Sequence, residues 1–173
     1  TISIDKILSD KTLNWQVNKD EAPNFGVDQS NYWFKTSINF NAQASNDYLV
    51  EIAYPVIDFI DLYVFQNGIM KKAFHTGDRL PFHSRSLEHR NFLFPLPLLQ
   101  TDIPVDIYVR AQTAGAMQVP LFIWEQKAFW EQDQFQLMAH PFFFQILFTL
   151  PLYNFMLFVP FRTNPTFLYF FFF

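Results

Sequence analysis

The stretch IDFIDLYVFQNGIMKKAFH, residues 57–75, decides the fold. Its first ten residues are rich in aromatic and β-branched side chains, which suit a pleated, half-buried surface. Asn67-Gly68 then supplies two residues that accept the left-handed φ values of a tight hairpin turn. IMKKAFH returns as the partner strand, and Gly77-Asp78 closes it with another turn. The unit reads as an antiparallel hairpin, and the chain around it repeats the signal.

Upstream, YWFKTSINF (32–40) alternates Phe34, Thr36, Ile38 and Phe40 with Lys35, Ser37 and Asn39, the period of a strand with one buried side. DYLVEIAYP (47–55) is a further strand. Downstream, RNFLFPLPL (90–98) sets Phe92, Phe94, Leu96 and Leu98 on one side, with Pro95 and Pro97 on the other. Proline cannot donate to a ladder, so this strand belongs at an edge. VDIYVRAQ (105–112) turns Val105, Ile107 and Val109 inward and Asp106, Tyr108 and Arg110 outward, and VPLFIWEQ (119–126) is a last short strand. No segment before Lys127 shows a sustained helical period, and there is no internal repeat. Seven to nine short strands with polar turns imply an all-β domain over residues 1–126, an antiparallel β-sandwich with the jelly roll as its expected version.

Beyond that domain the character changes. KAFWEQDQFQLMA (127–139) mixes Phe129, Trp130, Phe135 and Leu137 with Glu131, Gln132, Asp133 and Gln134. As part of a connector over 127–140 it fits either an amphipathic helix at a membrane surface or a loop packed on the sandwich. From Pro141 to Phe161 there is no charged residue, and about twenty apolar residues are what a helix needs to cross a bilayer. Residues 141–161 are therefore expected to form a transmembrane helix, followed by a polar turn at Arg162–Pro165. TFLYFFFF (166–173) would begin a second span, so the chain is expected to continue past Phe173. The competing reading, a buried helix or strand pair, draws on Pro151 and Pro160. Size counts against it: so small a domain has little interior for thirty more apolar residues.

Composition narrows the function. The net charge is −4 and no basic run is present, which gives nucleic acid no surface to bind. Cysteine is absent, ruling out disulfides and thiolate metal sites. His75, His83, His89 and His140 show no metal-ligand spacing, there is no HExxH and no phosphate loop, and no cofactor is expected. Asp58 and Asp61 lie three apart in strand sequence and face opposite ways, so they make no acid–base pair. Ser84 and Ser86 lack an orienting pattern around a nucleophile, and no catalytic residue is assigned.

The candidate ligand residues are Trp33, Tyr63, Arg79, Arg85, Arg90, Tyr108 and Arg110. Three of the arginines fall in DRLPFHSRSLEHR (78–90), and guanidinium groups grip carboxylates and hydroxyls and stack on rings. Outward Tyr108 and Arg110 would extend that face. The competing reading has Arg85 and Arg90 tying the long loop to backbone carbonyls and to acids such as Asp61 or Glu51. Trp33, Tyr54, Tyr63 and Trp124 are candidate stacking platforms for a sugar ring. Parity sets Trp33 and Tyr63 opposite the main buried set; an aromatic in a strand is otherwise core.

Together these stretches resemble a known arrangement. NYWFKTSINFN, YLVEIAYPVIDFIDLYVFQNG, HTGDRLPFHSRSLEHRNFLFPLPL, VDIYVRAQT and VPLFIWE, in this order, resemble the extracellular sensor domain, second type, of the bacterial seven-transmembrane receptors with diverse intracellular signalling modules. Matching features include Tyr32-Trp33, Tyr54-Pro55, Leu62-Tyr63, Gly77-Asp78, Pro81-Phe82 with Arg85 and Arg90, and Tyr108-Val109-Arg110. Leu152-Tyr153-Asn154, Phe158 and Arg162 resemble the start of that family's membrane region. One departure is Pro141 and the phenylalanines after it, where the family usually carries small residues.

The resemblance implies a periplasmic jelly roll similar to carbohydrate-binding modules, with residues 1–140 outside a bacterial inner membrane. It also implies a seven-helix bundle and a cytoplasmic output module, often a diguanylate cyclase or histidine kinase, which these residues do not include. The partners expected are a small-molecule ligand such as a carbohydrate, membrane lipid and a second copy of the chain. The function that follows is ligand sensing by a transmembrane signalling receptor. The alternative is a membrane-anchored carbohydrate-binding module without a signalling role, and a third reading, a hydrolase on the same scaffold, would need a carboxylate pair in one cleft.

Overall fold

The computed structural model describes residues 2–10, 12–20, 22–40, 47–97, 100 and 103–161, without the side chains of 139–140 and 157–161. Leu98, the turn expected at Arg162–Pro165 and the second apolar segment at 166–173 lie outside the described residues. The chain divides into two compact units, Thr1–Gln126 and Lys127–Phe173.

The first unit carries nine strands among the described residues: β1 (Asn24–Val27), β2 (Tyr32–Ile38), β3 (Tyr48–Ile52), β4 (Phe59–Gln66), β5 (Ile69–Thr76), β6 (Phe92–Pro95), β7 (Val105–Gln112), β8 (Ala116–Gln118) and β9 (Leu121–Glu125). They form a four-stranded sheet in the order β2-β7-β4-β5, a three-stranded sheet β6-β3-β9 and the pair β1-β8, with every pairing antiparallel. The Asn67-Gly68 hairpin forms as its sequence requires, with φ of 53° and 71°. The proline-bearing β6 lies at a sheet edge.

The two larger sheets meet through their inward residues. Ile60, Leu62, Val64, Ile107 and Val109 from one pack in a single cluster with Val50, Ile52, Phe92 and Phe94 from the other, all 1% exposed or less. Phe74 and Phe94 join the sheets through ring centroids 5.3 Å apart. This is an antiparallel β-sandwich, with strand alternation sorting the apolar side chains into its interior.

Two features depart from the sequence reading. A short helix, α1 (Ile4–Ser9), precedes the strands, and its single buried residue is Ile7. Six residues give less than two turns, too short for a sustained period to show. In β6, Leu93 is as buried as Phe92 and Phe94, so both of its faces are covered.

The connector is helical. α2 (Gln126–Phe161) runs for 36 residues through the connector and the apolar segment without a break, so the two expected elements are one. Its stretch Gln126–Met156 is long and apolar enough to cross a membrane, and its most apolar part is not buried. Thr149 bonds its hydroxyl to the Gln145 carbonyl at 2.7 Å, satisfying it within the helix.

Candidate ligand-binding site

The sheet register divides the seven candidate residues among three places. On the outer face of the four-stranded sheet, Trp33, Arg110, Asp61 and His75 form one row across β2, β7, β4 and β5. Tyr108 and Tyr63 belong to the next row on the same face. Arg79 lies beyond the end of β5, and Arg85 and Arg90 lie in the loop before β6.

The outer row is held by charge. Arg110 donates from Nε to Asp61 Oδ2 at 2.6 Å, and His75 Nδ1 meets Asp61 Oδ1 at 2.8 Å. Only 14% of the Asp61 side chain is exposed, so its carboxylate depends on these two partners. Trp33 stacks on Tyr63 with centroids 6.2 Å apart and planes inclined by 17°, and the Tyr63 ring meets His75 edge-on. Desolvation, and secondly the Asp61 charge, hold the Tyr63 phenol above its ordinary pKa.

Much of this face is covered. Tyr108 points outward by parity but is buried, in a second cluster with Ile7 and Phe65 against which Ile4, Leu13, Trp33 and Tyr63 pack. Trp15 adds an edge-on contact to Tyr108 at 6.5 Å. Parity tells which side of a sheet a residue takes; whether another segment lies over that side is a separate matter. Trp33 Nε1 is buried there without a hydrogen-bond partner among the described residues.

Arg85 is a loop anchor. Its guanidinium lies between the Phe82 and Phe92 rings, 4.9 and 4.5 Å from their centroids, and Nη1 donates to the carbonyls of His89 and Arg90. The strand acids expected to hold it have other partners: Glu51 accepts from Asn91 and Trp124, both at 2.7 Å, and Asp61 from Arg110 and His75. Trp124 is thereby fixed at the indole nitrogen, and Tyr54 packs on the main core. Arg90 is exposed.

Arg79 belongs to a different feature, an open cleft of about 250 Å³ lined by Gln29, Asp58, Phe59, Arg79, Gln112 and the Thr113–Ala114 turn. Asp58 precedes β4 and organises it: Oδ2 accepts the Ala114 amide at 2.8 Å and Oδ1 faces Arg79 Nε at 3.4 Å. Gly77 makes the arrangement possible. Its φ is 155°, and a Cβ there would lie 2.0 Å from the Asp58 carbonyl oxygen. That approach lets Asp78 and Arg79 donate their amides to the carbonyls of Ile57 and Asp58. A second cavity, of about 210 Å³, opens beside β2 between Phe34, Val109 and Leu121, with Asn18 and Asp20 on its wall. Sequence reasoning did not gather the cleft residues, because Gln29, Asp58, Arg79 and Gln112 come from four separate segments; the Gly77-Asp78 turn was its one visible sign.

The fold and the helix after it define a class: an antiparallel β-sandwich followed by a helix of membrane-spanning length. The family model described as 7TMR-DISM extracellular 2 matches residues 1–125, and the chain belongs to this family. No curated protein matches the chain. An extracellular domain followed by such a helix is the arrangement of a membrane protein with an outward-facing segment.

Proposed function

We propose that this chain is the periplasmic ligand-sensing part of a bacterial inner-membrane signalling receptor, and that it passes ligand occupancy through α2 to a cytoplasmic output module. The observation that carries the reading is order along the chain: a sandwich of the extracellular sensor family ends at residue 125, and an apolar helix of spanning length begins at Gln126. Ligand binding shifts such a receptor only by the difference between its affinities for the two signalling states. The finer reading is a jelly-roll sandwich that takes a carbohydrate. The domain acts by binding and has no catalytic role of its own. A second copy of the chain and the surrounding lipid are its other partners.

The test is topological. Fused after Arg162 in the full-length protein in bacteria, green fluorescent protein should fluoresce and alkaline phosphatase should stay inactive. An active phosphatase at that position refutes the orientation.

A further inference from the structure

We propose that the Asp58–Arg79 cleft is a binding site for a neutral, hydroxyl-rich ligand about the size of one sugar ring, seated against Phe59. The proposal rests on the sensor reading for its biological sense, while its chemistry is independent of it.

The first observation is position. β3 pairs with β9 so that Tyr48 faces Glu125 and Ile52 faces Leu121. Gln126, where the chain leaves the sandwich, bonds to Asp47 at one end of β3, whereas Ala53 bonds to Pro120 at the other. The cleft belongs to that second end, since Thr113 donates to the Val56 carbonyl and Asp58 holds Ala114. It therefore opens at the end of the sandwich away from the exit to α2, unlike the outer face, which α1 and Trp15 partly cover.

The second observation is chemistry. Asp58 and Arg79 carry opposite charges side by side, so the cleft offers no net charge to an ion. Arg79 is 64% exposed and among the described residues meets Asp58 through its Nε–H, so its terminal N–H groups can donate to a ligand. The carboxamides of Gln29 and Gln112 line the cleft, and each presents both a donor and an acceptor. A hydroxyl also donates and accepts, which matches this mixture better than a carboxylate or an ammonium group would. Phe59, 39% exposed, supplies an apolar wall for ring hydrogens. The volume equals about eight liquid waters, on the order of one pyranose.

The test uses the full chain in a zwitterionic detergent without sugar head groups, with methyl-labelled alanine and threonine followed by NMR. The probes are glucose, galactose, mannose and N-acetylglucosamine, with glucuronate and galacturonate as anionic counterparts, and alanine and glutamine as zwitterions. We expect at least one neutral sugar to shift the Ala114 and Thr113 methyls, and Arg79→Ala or Gln112→Ala to weaken it at least tenfold with the spectrum otherwise intact. Phe59→Ala should weaken it as well. Silence toward every neutral sugar overturns the proposal, as does tighter binding of a uronate or an amino acid. Sugar binding that survives Arg79→Ala but is lost in Tyr63→Ala moves the site to the outer face and leaves the sensor reading standing. A phosphatase active after Arg162 sinks the sensor reading and leaves the cleft untouched.

Discussion

Phe94 and Phe143 are the same side chain in two surroundings. Phe94 sits on β6 at 1% exposure, in contact with the opposite sheet, whereas Phe143 on α2 is 61% exposed. The same contrast separates Phe92 and Phe74 from Phe142, Phe144 and Phe148. In the sandwich, period-two alternation gives the inward apolar side chains a partner on the opposite sheet. On α2 from Phe142 to Met156 the large apolar side chains are all exposed, and a helix apolar on every side suits an apolar medium. Phenylalanine content does not separate core from membrane; geometry relative to a partner does.

The largest effect should come from breaking the contrast at those two residues. Phe94→Ala should cost the sandwich about 3–5 kcal/mol, through lost burial and the cavity left behind. Phe143→Ala should change its unfolding free energy by less than about 0.5 kcal/mol. Denaturant titration of each variant in detergent, read by tryptophan fluorescence, checks both, and similar losses at the two sites would erase the distinction.

A charge sharpens the contrast from the other side. Phe148→Arg should cost about 2.5–3.5 kcal/mol of membrane insertion and leave the sandwich unchanged. Glycosylation-based insertion assays on the Pro141–Phe161 segment measure it, and unaltered insertion would argue against a membrane role.

A smaller effect is expected inside the sandwich, at Gly77. Gly77→Ala places a methyl group against the Asp58 carbonyl and keeps a backbone conformation that alanine resists, for about 1–3 kcal/mol. Because Arg79 is positioned through this contact, the variant should also loosen the cleft. An unchanged melting temperature would mean that the turn can move aside.

How much was legible in the sequence follows from what a pattern can encode. The hairpin at Asn67-Gly68, the inward set of β7 and the edge position of β6 each depend on residues adjacent in sequence, and each reads correctly. The span-length apolar stretch is local as well. The covering of Tyr108 by α1 joins Ile7 to Phe65 and Tyr108 across the whole domain, and no local period records it. The continuous α2 was open at the sequence level because KAFWEQDQFQLMA satisfies a helix and a loop alike. The cleft was invisible for the first reason, since Gln29, Asp58, Arg79 and Gln112 meet only after the sheets close.

The smallest expected effect concerns the outer face and is a matter of pH. Burial, and then the Asp61 charge, disfavour the Tyr63 phenolate, so the folded protein holds that proton more tightly than the unfolded chain. A group with a raised folded pKa contributes stability that is fully present below its unfolded value, near 10 for tyrosine, and is lost as pH rises through the folded value. Stability should therefore decline on the alkaline side, and Tyr63→Phe should flatten part of that decline while leaving stability at neutral pH nearly unchanged. Tyrosinate absorbance followed against pH should show one phenol titrating late, and that late step should vanish in the variant. Were Tyr63 to titrate like a free tyrosine, the outer face would be open to water, and the covering by Ile7, Leu13 and Trp15 would be too loose to separate this face from the cleft.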